Sequence, residues 1–119
     1  MSSRRLFVDV DDTAVFYLDG EDGPHPYGYS HGVPWEPNEK LIQGMRDFVE
    51  DNPDELVVLW SGGGWEYAKQ WADRLNLADG IVALGKDQKT LSLIKKGDIV
   101  VDDMDLGGLR THKPDEWPE

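Results

Sequence analysis

Three acids crowd the end of a short apolar run. Arg5-Leu6-Phe7-Val8 leads into Asp9-Val10-Asp11-Asp12-Thr13. Two carboxylates about 5 Å apart repel by roughly 3 kcal/mol at an effective dielectric near 20. A fold accepts that cost when a cation lies between the acids, or when one acid stays protonated for chemistry. Later apolar runs also end in polar residues. Leu56–Trp60 leads to Ser61 and then Gly62-Gly63-Gly64. Ile99–Val101 leads to Asp102-Asp103, and Lys86 and Lys89 follow the run Gly80–Ala83. Carboxylates suit a hard cation such as magnesium. Ser61, the glycine-loop amides and the start of the next helix suit an anion. A lysine adds a second positive charge. Together they describe a place for a phosphoryl group.

For these residues to meet, their runs must be neighbouring strands. The runs Arg5–Val10, Leu56–Trp60, Gly80–Ala83 and Ile99–Val101 lack clean alternation, as expected of strands covered on both faces. Helical spacing separates them. Leu41, Ile42, Met45, Phe48 and Val49 form one stripe, with Pro37 suited to the first helical turn. Ala68, Trp71, Ala72 and Leu75 form a second stripe, which predicts a core role for Trp71 and for nearby Trp65. Leu91 and Ile94 begin a third, which Gly97 ends. Strands alternating with helices predict an α/β fold with a mainly parallel sheet. Ligands bind such sheets at the carboxyl ends of the strands.

Residues 14–36 break this rhythm. They are rich in Gly, Pro, His and aromatics, and Val15–Leu18 reads as one arm of a hairpin. The segment leaves directly from the acidic strand end and is placed to overhang it, as a flap. A loop of this length in a small domain is usually functional or flexible. The tail from Leu106 has weak pattern and suits covering an edge or fraying.

At 119 residues the chain is expected to form a single domain, 1–119. The net charge of −12 counts against long nucleic acid as a partner. There are no cysteines, so disulfides and thiolate zinc sites are excluded. No segment approaches the 18 or so apolar residues of a membrane span, and Leu6-Phe7-Val8 is too short for a signal-peptide core. The default expectation is a cytoplasmic location.

The ordered set of motifs resembles the haloacid dehalogenase-like (HAD) superfamily. Asp9-Val10-Asp11-Asp12-Thr13 is similar to its first motif, Ser61 to its second, Lys86 or Lys89 to its third, and Asp102-Asp103 to its fourth. The resemblance runs over roughly residues 5–105. It implies a three-layer Rossmann-like fold and a magnesium-dependent phosphatase working through an aspartyl-phosphate. Asp9 would be the nucleophile and Asp11 the general acid and base. Ser61 and Gly62 would hold the phosphoryl group. A lysine, Lys86 in preference to Lys89, would neutralise charge. Magnesium would sit on Asp9, Asp103 and the Asp11 backbone carbonyl, with Asp102 assisting. An Asp at position 11 resembles the phosphatase and phosphotransferase branch.

Two departures stand out. Asp12 occupies a place where the family commonly has glycine, and no separate cap domain fits in residues 14–36. Capless members of the family take bulky substrates or borrow a lid by oligomerising. The expected partners are therefore a phosphorylated small molecule, a nucleotide or a nucleic-acid end, with a homo-oligomer as one arrangement.

Simpler readings stand beside these. An Asp-x-Asp pair is common in a chain with 24 acids. Ser61 could be a helix cap, and either lysine alone could be a surface charge. Asp12 and Asp105 read as solvated, and His25 and His31 as loop residues. A non-catalytic or regulatory module that binds phosphate and magnesium is the alternative from another class. A response-regulator receiver fails on order, because Ser61 stands where its central Asp should be.

Overall fold

A computed structural model describes residues 5–17, 34–77, 80–104, 106 and 111–118. Four strands form a parallel sheet: β1 (Leu6–Asp9), β4 (Val57–Ser61), β5 (Val82–Gly85) and β6 (Ile99–Val101). A separate antiparallel pair joins β2 (Val15–Tyr17) to β3 (Trp35–Pro37). Three helices, α1 (Glu39–Asp51), α2 (Trp65–Arg74) and the single turn α3 (Gln88–Leu91), complete the described elements. This is a small α/β fold.

The sheet order is β5-β4-β1-β6. The chain steps outward from β1 to β4 to β5, then returns across the sheet to β6. Right-handed crossovers put the outward helices on one face and the returning segment on the other. The core divides accordingly. Leu6, Val8, Val57 and Leu59 meet Leu41, Ile42 and Met45 of α1 and Ala68, Trp71 and Ala72 of α2. On the opposite face Phe7, Val58, Trp60 and Val100 are covered by Leu91 and Ile94. The period-two pleat explains why Phe7 and Val58 part company with their neighbours. The strand order reverses between β1 and β6, and in open parallel sheets ligands bind at the carboxyl ends beside such a reversal.

Several expected boundaries move. The third strand of the sheet covers Val82–Gly85 rather than Gly80–Ala83. Pairing with β4 sets its bounds, because the register runs from Val58↔Val82 to Ser61↔Gly85. Pro37 closes β3 instead of opening α1. That place suits it, since an edge strand tolerates a residue with no N–H. Asn38 caps α1 instead, its side chain accepting from the Leu41 amide. The third helix stops after one turn, at Leu91. Asp87 and Thr90 form a capping box around its start.

The hairpin expected after the first strand is the β2–β3 pair, with Tyr17 opposite Trp35. The rest of the flap, residues 18–33 with His25 and His31, lies outside the described residues, as does Asp105. The tail covers an edge. His112 bridges to Val101, and its amide donates to the Val100 carbonyl at 2.7 Å. The chain then crosses α1, where Trp117 packs on Phe48 with ring centroids 6.2 Å apart. Gly44 makes this approach feasible: a Cβ there would stand 2.7 Å from Pro118 Cδ. No helix among the described residues is long and apolar enough to cross a membrane.

Candidate active site

The residues that close β1, β4 and β6 lie at the same edge of the sheet, because the strands are parallel and in register. Asp9 ends β1, Ser61 ends β4, and Asp102 follows β6. Asp9, Ser61 and Asp102 are all buried. Lys86 reaches in from the end of β5. Its Nζ donates to Asp9 Oδ1 at 2.9 Å and to Asp102 Oδ2 at 2.8 Å. The Lys86 amide donates to the Ser61 carbonyl at 2.7 Å, which ties its backbone to the end of β4. Lys89 is exposed on α3.

Thr13 joins Asp9 to Asp103, an acid ninety residues further along the chain than Thr13 itself. Its hydroxyl lies 3.1 Å from Asp9 Oδ2 and 3.3 Å from Asp103 Oδ1, and it accepts from the Asp103 amide at 3.0 Å. Thr13 is fully buried. A tight turn puts it there: the amides of Thr13, Ala14 and Val15 all donate to the Val10 carbonyl. Asp12 supplies the left-handed residue of this turn, with φ +60°. Glycine or a short polar residue is tolerated in that conformation. Asp12 is half-buried rather than freely solvated as expected.

One carboxylate oxygen from each of Asp9, Asp102 and Asp103 falls within 4.8 Å of the other two. Three carboxylates against the single ammonium of Lys86 leave two negative charges. Burial, reinforced by the charge of Asp102, holds the Asp9 carboxyl well above the usual carboxylate range. Lys86 pulls in the other direction without winning. Burial raises Asp103 as well. Burial alone would lower the Lys86 ammonium, but Asp9 and Asp102 together raise it. These three carboxylate oxygens could hold a divalent cation that prefers oxygen ligands.

The glycine loop follows Ser61 as expected. Ser61 Oγ accepts from the Gly63 amide at 3.0 Å, so the side chain shapes the loop from within. Gly64 opens α2 at φ +104°, a conformation that suits glycine. Gly62 and Gly63 are exposed. Trp65, expected in the core, is instead 58% exposed at the first position of α2, while Trp71 is fully buried. The buried residues of α2 are Ala68, Trp71 and Ala72, and Trp65, a turn before Ala68, stands outside them at the start of the helix. Met104, just past Asp103, is exposed too.

Asp11 stands apart from the acid cluster. Its Oδ1 accepts a hydrogen bond from Tyr67 at 2.7 Å and another from Tyr17. Among the described residues its carboxylate makes no ion pair. Burial and the Asp11 bond raise the Tyr17 hydroxyl far above its ordinary range. Burial pushes Tyr67 up to about 12. Both phenols are therefore protonated donors at neutral pH. Sequence reasoning missed this pair. The signal was thin: Tyr17 is one of several aromatics in the flap, and Tyr67 sits one helical turn before Trp71. The chain matches no family model, no curated protein and no solved structure.

Proposed function

We propose that this protein is a magnesium-dependent phosphomonoester hydrolase of the HAD type, with the three-layer Rossmann-like core and phosphate chemistry that the motifs imply. The observation that carries the reading is the meeting of Asp9, Asp102, Asp103 and Lys86 at the carboxyl edge of the sheet. Asp9, Asp102 and Asp103 would hold magnesium, with the Asp11 carbonyl as a further donor. Bound there, magnesium supplies positive charge to the phosphoryl oxygens and to the ionised form of Asp9.

The chain's own groups divide the remaining work. An Asp9 carboxylate oxygen attacks phosphorus, and the bond to the substrate's leaving oxygen breaks. Asp11 gives its proton to that oxygen, so the product departs as an alcohol. Water then attacks phosphorus, Asp11 takes a proton from it, and the Asp9–phosphorus bond breaks to release phosphate. Lys86 offsets charge on Asp9 and on the phosphoryl group. Thr13 fixes the orientation of Asp9. The Ser61 hydroxyl, the Gly62 amide and the start of α2 receive phosphoryl oxygens. Substrates on this reading are phosphorylated small molecules or nucleotides.

The test is phosphate release from a panel of phosphomonoesters, including p-nitrophenyl phosphate, with and without magnesium. Magnesium-dependent release is expected. Folded protein that binds phosphate and magnesium, yet turns over nothing and accumulates no acyl-phosphate, overturns the reading in favour of a binding module.

A further inference from the structure

Asp11 is held by hydrogen bonds where Asp9 is held by charge, and the two tyrosines responsible come from different elements. Tyr17 closes β2, at the base of the flap, and Tyr67 lies in the first turn of α2, just past the glycine loop. Both hydroxyls converge on the same oxygen, Asp11 Oδ1. Two donors on one carboxylate oxygen saturate it and fix the plane of the group. Asp11 Oδ2 accepts from neither phenol.

The pair is braced from behind. Tyr17 lies opposite Trp35 in the β2–β3 ladder. Trp35 packs edge-on against Trp71, with ring centroids 4.7 Å apart. Trp71 is one helical turn beyond Tyr67 and is fully buried. Tyr17, Trp35, Trp71 and Tyr67 thus close a ring of contacts that joins the hairpin to the helix. The two hydroxyls themselves stand 3.4 Å apart. Such bracing keeps two donors aimed without the rotamer freedom of a surface tyrosine.

We propose that Tyr17 and Tyr67 are positioning residues that hold Asp11 by Oδ1 and so make Oδ2 the oxygen that exchanges a proton with the leaving group. This inference rests on the phosphatase reading above. It has a kinetic signature that a purely structural role lacks. A proton donor matters most when the leaving oxygen is strongly basic, as in an alkyl phosphate. It matters little when the leaving group departs easily, as p-nitrophenolate does. Misaligning Asp11 therefore penalises the first kind of substrate selectively.

The experiment compares wild type with Tyr67→Phe and Tyr17→Phe across p-nitrophenyl phosphate, phenyl phosphate and glycerol phosphate, reading kcat/KM with magnesium present. In the variants kcat/KM for glycerol phosphate is expected to fall about tenfold or more, and for p-nitrophenyl phosphate about twofold or less. KM for each substrate is expected to hold. Tyr67, half-exposed, provides the variant that folds even if the buried Tyr17→Phe does not; thermal melts verify both. Wild-type turnover with an equal loss on every substrate, or with no loss, overturns the inference alone. Absence of wild-type turnover across the series overturns the phosphatase reading and this inference with it.

Discussion

The same two strands end differently at their two ends. At the amino end of β1 and β6, Arg5 meets Asp98. The Arg5 Nε donates to Asp98 Oδ1 at 3.1 Å and its Nη2 to Oδ2 at 2.6 Å. Opposite charges match in a two-bond fork, which suits arginine. Burial would raise the Asp98 carboxyl, but Arg5 and the Lys95 amide hold it below its usual range. At the carboxyl end, Asp9 and Asp102 face each other with a lysine between them and a third acid alongside. There the carboxyl of Asp9 is pushed up instead. One end is a finished closure of the sheet. The other keeps an excess of negative charge in a buried place, which costs stability and which the cation of the proposed function would offset.

That contrast can be broken most severely at Asp9. Asp9→Asn is expected to lower phosphate release by roughly 10⁴-fold or more, since it removes the nucleophile. The same variant is expected to melt higher than wild type in chelator at pH 7, because it removes a disfavoured charge. A lower melting temperature would show that Asp9 is stabilised where it sits.

Lys86 comes next. Lys86→Met leaves Asp9 and Asp102 buried together without their cation, and is expected to cost about 3–5 kcal/mol in metal-free urea unfolding. Lys89→Met, on the exposed face of α3, is expected to stay within about 0.5 kcal/mol. Equal effects at the two positions would remove the distinction between them.

The two ends should also respond oppositely to pH. The folded values of Asp9 and Asp103 are raised, so the native state binds their protons more tightly than the unfolded chain does. Their contribution is full below the unfolded value of about 3.9 and is lost as pH rises through the folded values. Magnesium is expected to restore about 2.7 kcal/mol at neutral pH when present at a hundredfold excess over its Kd. Thermal melts from pH 4 to 8, with chelator or magnesium, measure both effects. A melting temperature indifferent to magnesium would count against the cation site.

The smallest effect belongs to the amino end. Asp98 has a depressed folded value, so its contribution is present above the unfolded value and is lost as pH falls through the folded one. Asp98→Asn is expected to cost about 1–2 kcal/mol at pH 7. It should flatten the acid side of the stability curve and leave turnover unchanged. A loss of turnover would mean that the two ends of the strands are coupled.

Much of this arrangement was legible along the chain, and the reason is local. Leu6–Val8, Val57–Trp60 and Ile99–Val101 are apolar runs bounded by polar residues, and a strand buried on both faces requires that pattern. Parallel strands must then carry Asp9, Ser61 and Asp102 to one edge. The helical stripe of α1 follows from 3.6-residue spacing in the same way. The choice between Lys86 and Lys89 was not local. It depends on β5 pairing with β4 as far as Gly85, which aims residue 86 at Asp9 and leaves residue 89 on an outer turn. Trp65 was misread because its spacing to Ala68 and Ala72 fits their stripe, yet it opens α2 at the end of the helix, beyond the reach of the core.

What the sequence by itself determined is the order of strands and helices and the residue types that end each strand, since both follow from short-range periodicity and burial. Only the tertiary structure decided which groups touch. Thr13 links Asp9 to Asp103 because the turn on the Val10 carbonyl folds it inward beside a residue ninety positions away. Asp11 meets Tyr67 because the β2–β3 hairpin and α2 pack through Trp35 and Trp71. Such contacts are set by register and packing between distant segments. No spacing along the chain encodes the direction in which a side chain leaves a turn.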